Sequence, residues 1–242
     1  MHPPILYKYL DPTGGTAFLK SPQLRFSDWR GLDDLMEILP GQRPLNDAEA
    51  HRYATDQVHK HGVSYAEARN EAMMLGHDPN WERALRDLFL KQPCTLFLCC
   101  LAERWNSGAM WAMYAAKHTG LAVGFNMKTL PRRVTAGLGK VIYSQERPQM
   151  PLLETDHDVL ALAAITKSKD WDYQDEWRVV APTAATEYLK ADAVAEIVVA
   201  YNADEKLVSR ALEFKKNHPA TKVYQAFPHP QMHQMDRQEL SL

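Results

Sequence analysis

The stretch from Lys167 to Val180 places the strongest constraint on the fold. It is predicted to be a short loop that leads into a strand, because its aromatic and β-branched residues favour a pleated surface. Successive side chains of a strand point to opposite faces of the sheet. Four apolar side chains are therefore expected on one face: Trp171, Tyr173, Trp177 and Val179. Three polar ones are expected on the other: Gln174, Glu176 and Arg178. We predict that the first face packs in a core and that the second carries chemistry; the simpler interpretation is a half-exposed edge strand.

The composition predicts a globular protein without a membrane partner. Of the 242 residues, 45 % are apolar and 24 % are charged, which suffices for a sizeable core. No apolar run reaches the length of a bilayer span, and the N-terminal residues lack the pattern of a signal peptide, so we expect a cytoplasmic protein. A formal net charge of -2 argues against a protein that coats nucleic acid.

The cysteines favour neither a disulfide framework nor a metal site. Cys94, Cys99 and Cys100 are odd in number and contain no C-x-x-C pair. Because they lie in or beside one apolar run, we expect them to behave as small buried hydrophobic residues in a reducing compartment.

Turn residues and the spacing of apolar residues predict both strands and helices before residue 46 and after residue 91. Strands are predicted at Ile5–Leu10, Leu24–Ser27, Thr95–Cys100, Leu121–Asn126, Lys140–Ser144, Glu196–Tyr201 and Lys222–Ala226. Helices are predicted at Thr16–Lys20, from Ser107 as far as Gly120, at Asp158–Ile165 and at Asp204–Asn217. The tail from Pro228 is expected to be loosely ordered.

Residues 46–91 are polar, rich in alanine and predicted to be helical. Ser64 followed by Glu67 is a capping box, which predicts a helix from Ser64 to about Leu75. A further helix is predicted from about Asn80. Because no stretch has the composition of a linker, we predict one α+β domain over residues 1–242 with a helical insertion at 46–91.

Four short motifs carry a resemblance to a known family. They are L-Y-K-Y at Leu6–Tyr9, L-R-F-S at Leu24–Ser27, M-W-A-M-Y-A-A-K-H-T-G-L-A-V-G-F at Met110–Phe125, and K-S-K-D-W-D-Y-Q-D-E-W-R at Lys167–Arg178. Their order and spacing resemble a widespread, uncharacterised bacterial and phage family, a domain of unknown function. The sequence departs from that family at Leu32–Glu37, where the family has F-N-D-P-F-E, at Met113, where it has His, and at Gln174, where it usually has Glu.

The order of the same parts is similar, more distantly, to the ADP-ribosyltransferase plan. In that plan a first strand carries a basic or His residue beside aromatics, a second strand ends in Ser or Thr, and a late strand carries Glu or Gln two positions before the catalytic Glu. The matching residues are Lys8 with Tyr7 and Tyr9, then Ser27, then Gln174 and Glu176. The resemblance implies an α+β fold with an ADP-ribosyltransferase-like mixed sheet core, and NAD as the substrate.

The implied chemistry suits these residue types. Cleavage of the nicotinamide bond of NAD develops positive charge on the ribose, which a fixed carboxylate such as Glu176 stabilises. Gln174 would position the acceptor, an unknown protein or nucleic acid. Tyr7 and Tyr9 offer surfaces for nicotinamide, and Lys8 suits a pyrophosphate. The remaining candidate cofactor-binding residues are Ser27, Trp111, Tyr114 and Arg178, although the positions of Trp111 and Tyr114 favour core packing over a cofactor surface.

We therefore expect an NAD-dependent ADP-ribosyltransferase or NAD-cleaving enzyme of a phage defence or toxin system. One alternative is a non-catalytic interaction module of a bacterial or phage defence system. Another is a metal-dependent nuclease that uses Asp33, Asp34 and Glu37. The enzyme interpretation requires one common pocket for four residues: Lys8, Ser27, Gln174 and Glu176. An interaction module would leave them scattered.

Overall fold

Backbone hydrogen bonds join ten strands into one mixed sheet, seen here in a computed structural model. The structure describes residues 2–34, 36–75, 83, 87, 90–91, 96–151 and 157–241. The strands of this sheet are β1 (Ile5–Leu10), β2 (Gln23–Asp28), β4 (Phe97–Ala102), β5 (Leu121–Asn126), β6 (Leu138–Lys140), β10 (Glu176–Ala181), β11 (Ala185–Tyr188), β12 (Val194–Val199), β13 (Lys222–Pro228) and β14 (Met235–Glu239).

The strand order across the sheet is β11-β2-β4-β1-β5-β12-β13-β14, and β10 pairs with both β4 and β6. β12 and β13 run parallel, whereas the other described pairs of this sheet are antiparallel. The predicted α+β class is confirmed as a mixed sheet with helices. Its likeness to an ADP-ribosyltransferase core stays a prediction.

The pairing register divides the side chains of the sheet between two faces, because residues directly opposite one another point the same way. The back face carries Leu6, Leu101, Val123, Val179 and Ile197. Helix α1 (Pro12–Lys20) and helix α7 (Glu205–Asn217) pack on this face through Phe18 and Phe214. This larger core holds the sheet to its helices.

The front face carries Tyr7, Ala102, Gly124, Glu176 and Glu196. Helix α4 (Gly108–Tyr114) covers part of it through Met110 and Trp111, in a second apolar cluster. Ser107 caps this helix by accepting a hydrogen bond from the backbone N–H of Met110, as the sequence predicts. The front face is therefore the side of the sheet on which polar and aromatic residues meet.

The chain divides into two compact units. Unit 1 consists of Met1–Gly31, Thr95–Val141 and Lys169–Leu242, and it holds the ten-stranded sheet with α1, α4, α5 (Arg132–Thr135) and α7. Unit 2 consists of Leu32–Cys94 and Ile142–Ser168. Its elements are β3 (Gly41–Arg43), α2 (Asp47–His61), α3 (Tyr65–Leu75), β7 (Ile142–Ser144), β8 (Gln149–Pro151), α6 (His157–Ala164) and β9 (Thr166–Ser168). The single domain over residues 1–242 stays a prediction.

Two local signals set the helices of unit 2. Asn46 and Glu49 form a reciprocal capping box at the start of α2, and Gly62 ends that helix in the left-handed conformation with a φ of 68°. The predicted N-terminal cap of α3 at Ser64 is present, since Glu67 N–H donates to the Ser64 hydroxyl, and that hydroxyl in turn donates to the Glu67 carboxylate. The helix predicted from about Asn80 falls largely outside the described residues, as does Cys94.

The strand predicted between Lys167 and Val180 is wrong in its first half. Lys169–Gln174 form a 3-10 helix, and Asp175 follows with a left-handed φ of 42°, so β10 begins only at Glu176. Trp171 and Tyr173 therefore lie outside the strand. The edge-strand alternative is also wrong, because β10 has a partner on each side.

Burial corrects the prediction for the two faces of β10. Glu176 is 4 % exposed and Arg178 is fully buried, although the polar face was expected to carry no core. Trp177 packs against the back-face core and is half-buried, and Trp171 is half-buried as well.

Two element ends also differ from the predictions. Helix α4 stops at Tyr114, well before Gly120, because Ala116, Lys117 and His118 have left-handed φ angles of 47°, 55° and 65°. The tail is ordered in part: β14 pairs antiparallel with β13 along the edge of the sheet. Among the described helices, none has both the length and the apolar character that a bilayer crossing requires.

We expect Gly120→Ala to reduce the free energy of unfolding by about 3 kcal/mol or more. A Cβ atom at Gly120 would clash with the carbonyl oxygen of Leu10 and lie 3.0 Å from Asp11 Cα, and a backbone cannot yield as a side chain can. Gly108→Ala is the matched control, since its Cβ would meet nothing within 4 Å. Urea titrations that give equal midpoints for the two variants would contradict this packing.

A second prediction concerns pH and unit 2. The Arg43 guanidinium, the main cause, lowers the pKa of Glu49 from 4.5 to about 2. Because the folded pKa lies below the unfolded one, the resulting stability is present above about pH 4.5 and is lost as the pH falls towards 2. Wild type should therefore lose more stability over that interval than Glu49→Gln does. Parallel melting curves of the two proteins between pH 5 and pH 2 would argue against the Arg43 contact.

Candidate active site

Five residues form one row across the front face, running perpendicular to the strands. Glu176 of β10 lies opposite Ala102 of β4, which lies opposite Tyr7 of β1. Tyr7 in turn lies opposite Gly124 of β5, and Gly124 lies opposite Glu196 of β12 after a shift of register. Neighbouring strands are about 4.8 Å apart, so the two glutamates at the ends of the row lie ~19 Å apart. The row therefore contains two separate polar clusters.

The first cluster centres on the Glu176 carboxylate. Arg178 Nε donates to Glu176 Oε1 at 2.8 Å and Arg178 Nη2 donates to Oε2 at 3.1 Å, so both oxygens are held by one guanidinium. This bidentate geometry is available because residues two apart on a strand share a face. A buried charge pair needs such hydrogen bonds to offset the loss of hydration.

Cys100 completes this cluster from the neighbouring strand β4, where it lies directly opposite Arg178. Burial, and then the charge of the Glu176 carboxylate, raise the pKa of the Cys100 thiol well above its usual range. Cys100 is thus a neutral neighbour of the carboxylate. It was expected to be a small residue among apolar side chains, but it lies beside a charged pair.

The 3-10 helix before β10 is held to helix α4 by side-chain contacts. Gln174 Nε2 donates to the Tyr114 hydroxyl at 2.8 Å, and the Tyr173 hydroxyl donates to Met113 Sδ at 3.0 Å. Gln174 is 4 % exposed, and the left-handed Asp175 breaks the alternation that would have set it beside Glu176. Strand alternation therefore does not relate these two residues, and their facing a common pocket stays a prediction.

The second cluster lies at the other end of the row. The Tyr7 hydroxyl donates to Glu196 Oε1 at 2.7 Å, and Arg237 of β14 forms an ion pair with the same oxygen. Gly124 makes this contact possible, because a Cβ atom there would lie 2.8 Å from Glu196 Cγ and 2.9 Å from Tyr7 Cε1. Burial, and then the bond to Glu196, raise the pKa of Tyr7.

Lys8 lies on the opposite face of the sheet from Glu176, because it pairs with the back-face residue Val123. Its ammonium donates to the Cys100 carbonyl oxygen at 3.1 Å. The prediction that Lys8 and Glu176 face a common pocket is therefore wrong, and the physical reason is the period of two along β1.

The other candidate residues have separate contacts on or over the front face. Ser27 is exposed on the front face, opposite Leu98. Tyr9 donates to the Arg104 carbonyl oxygen at 2.9 Å and packs edge-on against Trp111 at 5.1 Å. Trp111 is fully buried, which favours core packing. The cofactor-binding roles of Tyr7, Tyr9, Ser27, Trp111, Tyr114 and Arg178 stay predictions.

Sequence reasoning missed the second cluster. Glu196 interrupts an apolar strand, V-A-E-I-V-V, and a lone carboxylate at such a position signals a buried partner. Arg237 carried no signal, because it lies in a tail that was expected to be loosely ordered.

Residues 110–179 match the family described as "Protein of unknown function (DUF2971)". The matched range runs from α4 to β10 and includes Tyr114, Gln174, Glu176 and Arg178. The predicted resemblance to a family of unknown function is confirmed at that level. No curated protein and no solved structure matches the chain.

The metal-dependent alternative finds no support in the part of the chain that the structure describes. No three His, Cys, Asp or Glu side chains are grouped there as a metal site would require. Glu37 of the proposed set is buried, and Lys167 Nζ lies 3.3 Å from its Oε1.

We expect Arg178→Met to reduce the free energy of unfolding by about 3–5 kcal/mol, because it leaves the Glu176 carboxylate buried without the guanidinium. The double variant Glu176→Leu/Arg178→Met should recover most of that loss. Arg30→Ala is the control, since its ion pair with Asp28 is about a third exposed and worth less than ~1 kcal/mol. Chemical denaturation of the three variants and wild type measures these differences; a double variant no more stable than Arg178→Met would refute the assignment.

Proposed function

We propose that the protein cleaves the bond between nicotinamide and ribose in NAD, with Glu176 as the catalytic carboxylate and an ADP-ribosyl group as the product transferred. The observation that carries the proposal is the buried Glu176, whose two oxygens are fixed by Arg178. The likeness of the motif order to ADP-ribosyltransferases supports it. The acceptor is water, a protein or a nucleic acid.

The chemistry needs a fixed negative charge beside the ribose. As the bond between the pyridinium nitrogen and the ribose C1 breaks, its electron pair neutralises the nicotinamide ring and positive charge develops on the sugar. A nucleophile of the acceptor then bonds to the same carbon and loses a proton to solvent. A carboxylate that is already oriented and desolvated stabilises that charge without reorganisation.

The contacts of Glu176 are compatible with NAD binding. Arg178 donates one hydrogen bond to each carboxylate oxygen, and because a carboxylate offers about four lone-pair sites, Glu176 can accept a further bond from a ribose hydroxyl while Arg178 stays in place. The Arg178 guanidinium is the group proposed to face a phosphate of the substrate, the role predicted for Lys8. Gln174, held by Tyr114, stays the residue proposed to position the acceptor.

A non-catalytic interaction module of a bacterial or phage defence system is the second candidate. One observation favours it: Lys8 lies on the opposite face of the sheet from Glu176. In that case the Glu176–Arg178 pair is purely structural, and its loss affects stability alone.

Glu176→Gln separates the two candidates. It keeps the size of the side chain and removes its charge, so NAD should bind nearly as in wild type while nicotinamide release falls by about a hundredfold or more. Calorimetry with NAD and chromatography of released nicotinamide, with cell extract as the source of acceptor, provide the two measurements.

Glu187→Gln is the matched control, because Glu187 is also a buried carboxylate of the same sheet paired with an arginine, Arg133, but belongs to β11. It should release nicotinamide at the wild-type rate. If the wild type neither binds NAD nor releases nicotinamide, the proposed enzymatic function is wrong. Equal rates for wild type and Glu176→Gln would move the chemistry to another residue.

A further inference from the structure

The guanidinium of Arg237 lies between two aromatic rings on the front face. Its central carbon is 4.4 Å from the ring centre of Trp105 and 4.0 Å from that of Tyr224. The Glu196 carboxylate, 6 % exposed at its side chain, pairs with the edge of the guanidinium. We call Trp105, Tyr224 and Glu196 the cation cage. A planar cation between aromatic faces, with a carboxylate at its rim, is a strongly attractive arrangement.

The cation cage discriminates between the two kinds of basic side chain near it. Lys222 lies directly opposite Glu196 on the adjacent strand β13 and is exposed. Arg237 comes from β14, one strand further away, and its side chain crosses β13 to reach the same carboxylate. A guanidinium stacks on aromatic rings and is more weakly hydrated than an ammonium, which is why the more distant arginine occupies the cage.

The walls of the cation cage are held by contacts that do not involve Arg237. The Tyr7 hydroxyl donates to Glu196. The backbone beside Trp105 accepts hydrogen bonds from Tyr9, at the Arg104 carbonyl, and from Trp111 Nε1, at the Trp105 carbonyl. Tyr224 belongs to β13, which is paired to β12 along its length. Each wall of the cage is therefore held by at least one contact other than Arg237.

The present occupant, Arg237, sits on an edge strand of the sheet. β14 lies at one end of the strand order and pairs with β13. The place of an edge strand can be taken by another extended segment.

We propose that the cation cage is a binding site for the guanidinium group of an arginine side chain from another polypeptide, and that Arg237 fills it in the absence of that ligand. Tyr7 and the backbone carbonyls around Trp105 pre-organise the site, and displacement of β14 opens it. The site is separate from Glu176 and does not depend on the cleavage of NAD.

The test uses the full chain with Arg237→Ala and methylguanidinium as the probe. The variant should melt at a lower temperature than wild type, and methylguanidinium should raise its melting temperature in a saturable manner, since a ligand that binds the folded state stabilises it. Methylammonium at the same concentration should give no saturable rise. The double variant Arg237→Ala/Glu196→Gln and the control Arg210→Ala, whose guanidinium bonds Thr16 on the surface, should not respond to methylguanidinium.

Two results would overturn the proposal: an absence of any saturable rise in Arg237→Ala, or an equal rise in the double variant. If Arg237→Ala does not fold, hydrogen exchange of wild type decides. Methylguanidinium should then accelerate exchange of the amides of Met235–Glu239 selectively, and methylammonium should not. Equal exchange with both cations would show that Arg237 is only a structural contact.

Discussion

The register of β1 against its two neighbours decides which side chains can meet. Tyr7 lies opposite Ala102 on one side and Gly124 on the other, and both of these neighbours are small. The absence of a side chain at Gly124 lets the Tyr7 ring cross β5 to the Glu196 carboxylate. A slip of one residue along β1 would exchange Tyr7 for Lys8 on the front face and bury an ammonium in place of a phenol. Both polar clusters depend on this alignment.

Each cluster resolves the same physical problem, a carboxylate removed from water. Glu176 is paired with an arginine two residues later on its own strand, so the pair forms wherever β10 forms. Glu196 is paired with an arginine from the last strand of the chain, so the charge of this carboxylate is balanced by Arg237 only when β14 has joined the sheet. The first pair is a fixed part of the sheet interior, whereas the second joins an edge strand to its centre.

These two arrangements suit different purposes. A carboxylate fixed on both oxygens inside the sheet is the kind of group that stabilises a transient positive charge, which is the basis of the proposed NAD chemistry. An arginine that enters an aromatic cage from an edge strand is the kind of contact that can be exchanged for another arginine. The match to a family of unknown function covers residues 110–179, which contain Glu176 but neither Glu196 nor Arg237. The two proposals can therefore succeed or fail separately.

The sequence by itself determined the features that depend on neighbours along the chain. β1 and β5 have the predicted bounds, and the caps at Ser107 and Ser64 are present, because strand propensity and capping hydrogen bonds involve residues within a few positions of each other. The class of fold follows from the same local signals. Local signals also misled: the pattern of residues Trp171 and Tyr173 suits a strand, yet both lie in a 3-10 helix. Their contacts with Met113 and each other outweigh propensity.

Only the tertiary structure decided which residues share a site. Lys8 and Glu176 were grouped by motif order, but motif order contains no information about the face of the sheet on which each side chain emerges. Cys100 became a neighbour of Glu176, and Arg237 a partner of Glu196, through strand pairings between distant parts of the chain. Such pairings are fixed by which side chains are buried when the whole core packs. That packing depends on contacts between distant segments, so it cannot be read from any single stretch of sequence.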